Sequence, residues 1–159
     1  MSSFKVSLGT LFGAGNLPKA PGTWGSLITL PIIYLSFWLS PQFGVLFLLI
    51  GTILLSLWTS DATVEKYGED PAEFVMDEAA GQSLVFIAIP FLFSAGYDLF
   101  ILIIGFILFR FFDIKKPLGI NQLQDLHGKY GILADDLLAG FYSLLLLKAI
   151  TVWLFPLLL

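Results

Sequence analysis

The chain has 159 residues, of which 57% are hydrophobic and 13% charged, and its net charge at pH 7 is −4. A soluble domain has about a quarter of its residues charged, so this composition predicts one integral membrane domain covering residues 1–159. The chain has no cysteine and one histidine, which excludes disulfides, thiolate nucleophiles, cysteine-bound zinc and any two-histidine mechanism.

The first half of the chain alternates between glycine-rich or polar segments and apolar runs. Residues 1–25 predict a loop with one short helix, and no cleavable signal peptide is expected there. Apolar runs at 26–39 and 43–58 are separated by Pro41, and residues 59–70 are polar. These runs predict the first two membrane helices.

The second half begins with Asp70-Pro71-Ala72-Glu73, which is typical of a helix start with Asp as N-cap and Pro at the first position. Pro117 disfavours helix at the residue before it, so one helix should stop near Lys115. His127, in a polar loop at 118–131, is expected to be a solvated residue. Three helices are therefore predicted, at about 71–93, 99–115 and 134–155.

The order of the apolar runs predicts which polar segments share a membrane face. Residues 26–58 and 79–112 each enter and leave the membrane on the same side, whether they cross it fully or re-enter. A run of 14 residues reaches only about 21 Å against about 30 Å of hydrocarbon, so re-entrant segments stay possible. The shared face carries seven of the eight basic residues and should be cytoplasmic: Lys5, Lys19, Lys66, Arg110, Lys115, Lys116 and Lys129.

Five acids also lie on this face, as Asp77-Glu78, Asp113 and Asp135-Asp136. Carboxylates near lipid are costly and are usually kept for function. Carboxylates that converge from different helices suit a hard cation such as magnesium. Asp135 and Asp136 could instead cap the last helix. Arg110 shares a helical face with Asp113, which allows either a salt bridge or, with Lys116, phosphate binding.

Pro21-Gly22-Thr23-Trp24-Gly25-Ser26 opens the first apolar helix. A helix N-terminus offers free N–H groups, and the hydroxyl of Thr23 or Ser26 could add a further donor, so the segment resembles a phosphate site. An ordinary N-cap with glycine packing is the alternative.

These motifs together resemble the bacterial phosphatidylglycerophosphatase A family, over nearly the whole chain and in order: Gly13-x-Gly15, Pro18, Pro21-Gly22-Thr23-x-Gly25-Ser26, Asp77-Glu78-x-x-Gly81, Phe109-Arg110-x-Phe112-Asp113-x-x-Lys116-Pro117 and Gly131-x-x-x-Asp135-Asp136-x-x-Ala139-Gly140. The resemblance implies an all-α, polytopic bundle of about four to five helices in the bacterial inner membrane, with its acidic motifs on the cytoplasmic face. It also implies magnesium-dependent hydrolysis of phosphatidylglycerophosphate to phosphatidylglycerol and phosphate. Gly119 and His127-Gly128-Lys129 depart from the family pattern.

The hypothesis for the site follows from this resemblance and the acids. Magnesium would be held by Glu78, Asp113, Asp135 and Asp136. Phosphate would be held by Gly22, Thr23, Ser26, Arg110 and Lys116. The nucleophile would be water with Asp77 as its base, and an aspartyl-phosphate intermediate is the rival route.

Two other functions compete with this hypothesis. One is a broader lipid-phosphate phosphatase, such as a phosphatidate phosphatase. The other is a non-enzymatic cation transporter, whose acids should lie near the membrane midplane rather than at helix ends. In each reading the partners are the membrane and, for the enzymes, a phospholipid substrate, and no nucleic acid is expected.

Overall fold

The computed structural model describes residues 2–69, 71–123 and 128–158, with side chains as far as Trp153. Asp70 and His127, predicted as an N-cap and a solvated loop residue, lie outside the described residues. All regular elements of the described part are helical, apart from turns. They are α1 (Ser2–Gly9), a 3₁₀ turn (Ala14–Asn16), α2 (Pro21–Leu39), α3 (Gly44–Tyr67), α4 (Met76–Val85), α5 (Ala95–Lys115), α6 (Ile120–Leu123) and α7 (Lys129–Leu158).

Within the described residues, four helices are long and apolar enough to cross a membrane: α2, α3, α5 and the Lys129–Trp153 part of α7. They contain 19 to 25 residues, which at about 1.5 Å per residue spans the roughly 30 Å of hydrocarbon. The predicted all-α polytopic bundle is therefore confirmed, and the chain is a multi-pass membrane protein. The helices are longer than the apolar runs because they continue into polar sequence.

Helix α3 shows how a polar segment stays helical. Residues 59–67, predicted as part of a polar connection, extend the helix to Tyr67. Thr59 and Thr63 are buried, and their hydroxyls donate to the carbonyls of Leu55 and Thr59 at 2.7 and 3.0 Å. These bonds within the helix satisfy the hydroxyls without any partner from another element.

The predicted helix at 71–93 is wrong at both ends. Residues 71–74 form a turn in which the Phe74 N–H donates to the Pro71 carbonyl at 2.9 Å, and α4 covers only Met76–Val85. Pro90 disfavours helix before it, which prevents extension to residue 93. Asp77 and Glu78 therefore lie in the first turn of α4, where the helix dipole favours acids.

The start of α7 also differs from its prediction. The helix begins at Lys129 rather than near Ala134, following Gly128, whose φ of 73° forms the preceding turn. Asp135 and Asp136 consequently lie beyond the first turn, and their interpretation as N-terminal caps is wrong. Both side chains are buried.

Two glycines set the crossing of α4 and α7. A Cβ on Gly140 would overlap the Gly81 carbonyl oxygen, and a Cβ on Gly81 would lie 2.6 Å from the Asp136 carbonyl oxygen. The two backbones are thus in direct contact, as small residues allow between membrane helices. This contact places the first turn of α4 beside the acids of α7.

The N-terminal segment packs against the residues that precede α4. The Val75 N–H donates to the Gly9 carbonyl at 3.0 Å, and a Cβ on Gly15 would overlap the Glu73 carbonyl. Gly13 has a φ of 97°, which glycine adopts readily. The glycine-rich start of the chain therefore holds residues 73–75 in place.

One buried acid that sequence reasoning missed lies at the start of α5. Asp98 is 2% exposed, and its carboxylate accepts hydrogen bonds from the Leu92 N–H at 2.8 Å and from the Tyr34 hydroxyl at 3.0 Å. It thereby ties the connection between α4 and α5 to α2. The feature of the sequence that could have indicated its role is its position at the start of an apolar run.

Replacing Asp98 by Ala should destabilise the fold, because the Leu92 N–H and the Tyr34 hydroxyl would lose their acceptor. We expect a loss of about 2 kcal/mol in the free energy of unfolding, measured by thermal unfolding in detergent. Asp61→Ala is the matched control, since Asp61 is an acid whose side chain is 75% exposed. Equal unfolding temperatures for the two variants would contradict this role of Asp98.

Candidate active site

The predicted acids line one cavity of about 320 Å³. They reach it from three helices: Asp77 and Glu78 from α4, Asp113 from α5, and Asp135 and Asp136 from α7. The structure therefore brings together all five carboxylates that the sequence singled out.

Three of the five residues predicted to bind phosphate also line this cavity. They are Gly22, at the start of α2, together with Arg110 and Lys116. Thr23 and Ser26 are not among its lining residues. Sequence reasoning missed a small group of lining residues that carry no charge, and nothing in their residue types marked them as part of a site: Ala20, Pro71, Ala72, Phe74 and Ile132.

Arg110 links two of the acids. Its Nη1 lies 2.9 Å from the Asp113 carboxylate and 3.4 Å from Oε1 of Glu78. The expected salt bridge along α5 is present, and the same guanidinium also reaches α4. Nη1 donates to the Ser26 hydroxyl at 3.3 Å, and that hydroxyl donates to the Gly22 carbonyl at 2.9 Å. Ser26 therefore positions Arg110 rather than facing the cavity.

Lys116 pairs with α7. Its Nζ lies 2.5 Å from the Asp135 carboxylate, and its backbone ends α5 in the left-handed region at a φ of 44°. Burial alone would lower the pKa of Lys116, but the hydrogen bond and charge of Asp135, together with the charges of Asp113 and Asp136, raise it above its usual value. Lys116 is therefore a permanent cation at this site.

The acids of α4 are poorly solvated. Burial, followed by the charge of Glu78, raises the pKa of Asp77 well above its usual value. Burial also raises the pKa of Glu78 to about 8, with Arg110 opposing the shift and Asp113 adding to it. The backbone N–H of Glu78 donates to Oδ1 of Asp77 at 2.9 Å, which holds the Asp77 carboxyl against the first turn of α4.

Glycines of α2 make room for Glu78. A Cβ on Gly22 would overlap the Glu78 carboxylate, and a Cβ on Gly25 would lie 2.7 Å from Cβ of Val75 and 3.1 Å from Oε2 of Glu78. The sequence left open whether this helix start is a phosphate site or an ordinary N-cap with glycine packing. In the structure, the space that these glycines leave is filled by a side chain of α4.

The residue types at the cavity fit a magnesium ion. Every candidate ligand is a carboxylate oxygen, the donor that this hard cation prefers, and the buried Oε2 of Glu78 has no hydrogen-bond partner among the described residues. Within the described part of the chain, no three acid or histidine side chains converge on one point. Magnesium does not require three, since one or two carboxylates with waters and a phosphate commonly hold it.

Comparison with known proteins places the chain in a family. The model of the family described as Phosphatidylglycerophosphatase A matches residues 7–151. A Haemophilus influenzae protein named phosphatidylglycerophosphatase A is 36% identical over 90% of this chain and 86% of its own length. The Escherichia coli protein of the same name is 34% identical over 83% of this chain and 74% of its own.

A third relative carries a different name. A Bacteroides thetaiotaomicron protein named "Putative phosphatidylinositol-3-phosphatase" is 35% identical over 96% of both chains. No solved structure gives a significant match. The family match covers most of this chain, including the three helices that carry the site carboxylates. The chain therefore belongs to the phosphatidylglycerophosphatase A family.

Proposed function

We propose that this chain is a phosphatase that hydrolyses the terminal phosphate monoester of phosphatidylglycerophosphate, giving phosphatidylglycerol and inorganic phosphate. The family and the names of two relatives support this reaction. The observation that carries the proposal is a cavity lined by five carboxylates, an arginine and a lysine, at one end of the spanning helices. That position suits a substrate whose acyl chains stay in the membrane.

The charges at the cavity support dependence on a divalent cation. When ionised, five carboxylates outnumber the two cations Arg110 and Lys116, so an incoming phosphate would meet a surplus of negative charge. Magnesium, held by carboxylates among Glu78, Asp113, Asp135 and Asp136, would neutralise this surplus and the charge that develops on the phosphate.

The protein's own groups would bind the phosphate and move the proton. Arg110 and Lys116 would donate to phosphoryl oxygens, and the N-terminus of α2 at Gly22 faces the same cavity. Asp77 would accept a proton from the attacking water as its oxygen bonds to phosphorus. The bond from phosphorus to the glycerol oxygen then breaks, and that oxygen would take up the proton that Asp77 accepted. Burial raises the pKa of Asp77, which makes its carboxylate a stronger base than that of an exposed aspartate.

The membrane and its active face are part of this proposal. The basic residues that flank the site end of the bundle favour the cytoplasmic face of the bacterial inner membrane, by the positive-inside rule. The expected product, phosphatidylglycerol, is a membrane phospholipid, so the enzyme would act in phospholipid synthesis.

A second candidate substrate is phosphatidylinositol 3-phosphate. The relative from Bacteroides thetaiotaomicron, which matches 96% of this chain, is named for that lipid. Its phosphate is also a monoester on a membrane lipid, so the same groups could act on it.

Substrate choice is tested with purified protein in detergent, by measuring phosphate release. We expect rapid release from phosphatidylglycerophosphate with Mg²⁺, at least about tenfold slower release from phosphatidate or phosphatidylinositol 3-phosphate, and none in EDTA, because hydrolysis needs the cation. Fastest release from the inositol lipid would favour the second candidate. Undiminished release in EDTA would contradict the need for a cation.

Neutralising the acids should abolish turnover. We expect Asp77→Asn, Glu78→Gln, Asp113→Asn and Asp136→Asn each to lower kcat by about 100-fold or more, since a positioned base or cation ligand contributes at least that much. Asp61→Asn, an exposed acid outside the cavity, should retain wild-type kcat. Full activity of any site variant, with folding confirmed by size-exclusion chromatography, would remove that residue from the mechanism.

Asp77→Asn should also stabilise the protein when no divalent cation is added. Because folding raises the pKa of Asp77, its ionised form opposes folding above the unfolded pKa of about 4, and this penalty disappears below that pH. In EDTA at pH 7 we expect unfolding about 4 °C above wild type, a shift that corresponds to roughly 1–2 kcal/mol. Near pH 4 the two proteins should match. A lower unfolding temperature than wild type at pH 7 would contradict this account.

A further inference from the structure

Helix α4 contains a buried amide side chain that has no role in the proposed mechanism. Gln82 is fully buried, and neither its amide nitrogen nor its amide oxygen has a hydrogen-bond partner among the described residues. One helical turn earlier, Oε2 of Glu78 is also buried and unpartnered. An amide N–H donor and a carboxylate acceptor, both without partners, therefore lie at positions i+4 and i of one helix.

A hydrogen bond that links these two groups is expected on physical grounds. Buried polar groups in native proteins are nearly always hydrogen-bonded, because an unmade bond costs the full desolvation of the group. Residues four apart on a helix lie on the same face, with their Cβ atoms about 5–6 Å apart. The two groups are not bonded directly here, but a glutamine at this spacing can reach the carboxylate through one buried water. A leucine would fill similar volume without leaving an amide unsatisfied.

The two oxygens of Glu78 have different surroundings. Arg110 lies 3.4 Å from Oε1, whereas Oε2 points along α2 towards the space left by Gly25. Arg110 thus restrains the carboxylate from one side only. A donor on the Oε2 side would fix its rotation about the bond to Cδ.

We propose that Gln82 is a positioning residue for Glu78, with its amide N–H donating to Oε2 through one buried water. The inference rests on the proposed function, in which Glu78 helps to hold a divalent cation. Gln82 would keep the carboxylate plane turned so that its remaining lone pairs face the cavity. Outer partners of this kind typically change metal affinity or activity by about 10–100-fold.

The test compares Gln82→Met, which keeps the length of the side chain and deletes the amide, with Tyr97→Phe. The hydroxyl of Tyr97 is also buried and unpartnered within the described residues. Tyr97 lies at the N-terminal end of α5, whereas the site residues of α5 lie near its C-terminal end. Three quantities are measured: the unfolding temperature in EDTA, the Mg²⁺ concentration at half of the Mg²⁺-induced thermal shift without substrate, and kcat and KM for phosphatidylglycerophosphate.

For Gln82→Met we expect a modestly lower unfolding temperature in EDTA, because the buried Oε2 of Glu78 loses its donor. The half-saturating Mg²⁺ concentration should rise at least about tenfold and kcat should fall by a similar factor, while KM stays within about twofold. Tyr97→Phe should leave Mg²⁺ binding and kcat unchanged. A merely structural role of Gln82 would lower the unfolding temperature and leave Mg²⁺ affinity intact.

The outcomes separate this inference from the proposed function. Wild-type Mg²⁺ affinity and kcat in Gln82→Met would overturn the inference, as would a wild-type protein without any Mg²⁺-induced shift. A wild-type protein that binds Mg²⁺ but hydrolyses no lipid phosphate would overturn the proposed function alone. In that case weakened Mg²⁺ binding in Gln82→Met would still support the positioning role.

Discussion

The backbone contact between Gly81 and Gly140 sets the distance between the two helices that carry four of the five site carboxylates. Any larger residue at either position would force α4 and α7 apart, because its Cβ would meet backbone atoms of the facing helix. Between membrane helices, where lipid is as apolar as leucine, such close packing is a main source of association. The same contact therefore serves both the fold and the site.

Bringing these carboxylates together opposes folding, and several features of the bundle reduce that cost. Arg110 bridges Glu78 and Asp113, and Lys116 pairs with Asp135. The first turn of α4 adds favourable dipole ends near Asp77. The remaining surplus of negative charge is a strain that a bound cation would relieve, so stability and function are expected to conflict here.

Much of this arrangement could be predicted from the sequence, because scarce charges in an apolar chain mark both the membrane face and the site. The helix boundaries could not be. Asp70-Pro71-Ala72-Glu73 looked like a helix start, but α4 begins only at Met76. The residues just before it are held by contacts with Gly9 and Gly15. These are tertiary contacts, which local sequence patterns do not contain.

The contacts of individual side chains between helices could not be predicted from the sequence. Gly22 was expected to admit phosphate, yet it also makes room for Glu78, and Ser26 contacts Arg110 rather than the cavity. The role of Asp98 was missed because its partner Tyr34 lies 64 residues away in the sequence. Each of these roles depends on which helix lies opposite, and the sequence does not specify this.

The central claim is that acids from separate helices form one cation site. Mn²⁺ suits oxygen ligands and has an EPR signal, so its binding to the purified protein tests this claim most directly. We expect saturable binding that Mg²⁺ displaces and that Asp113→Asn on α5 and Asp136→Asn on α7 each weaken at least about tenfold. Binding that neither substitution alters would contradict the account.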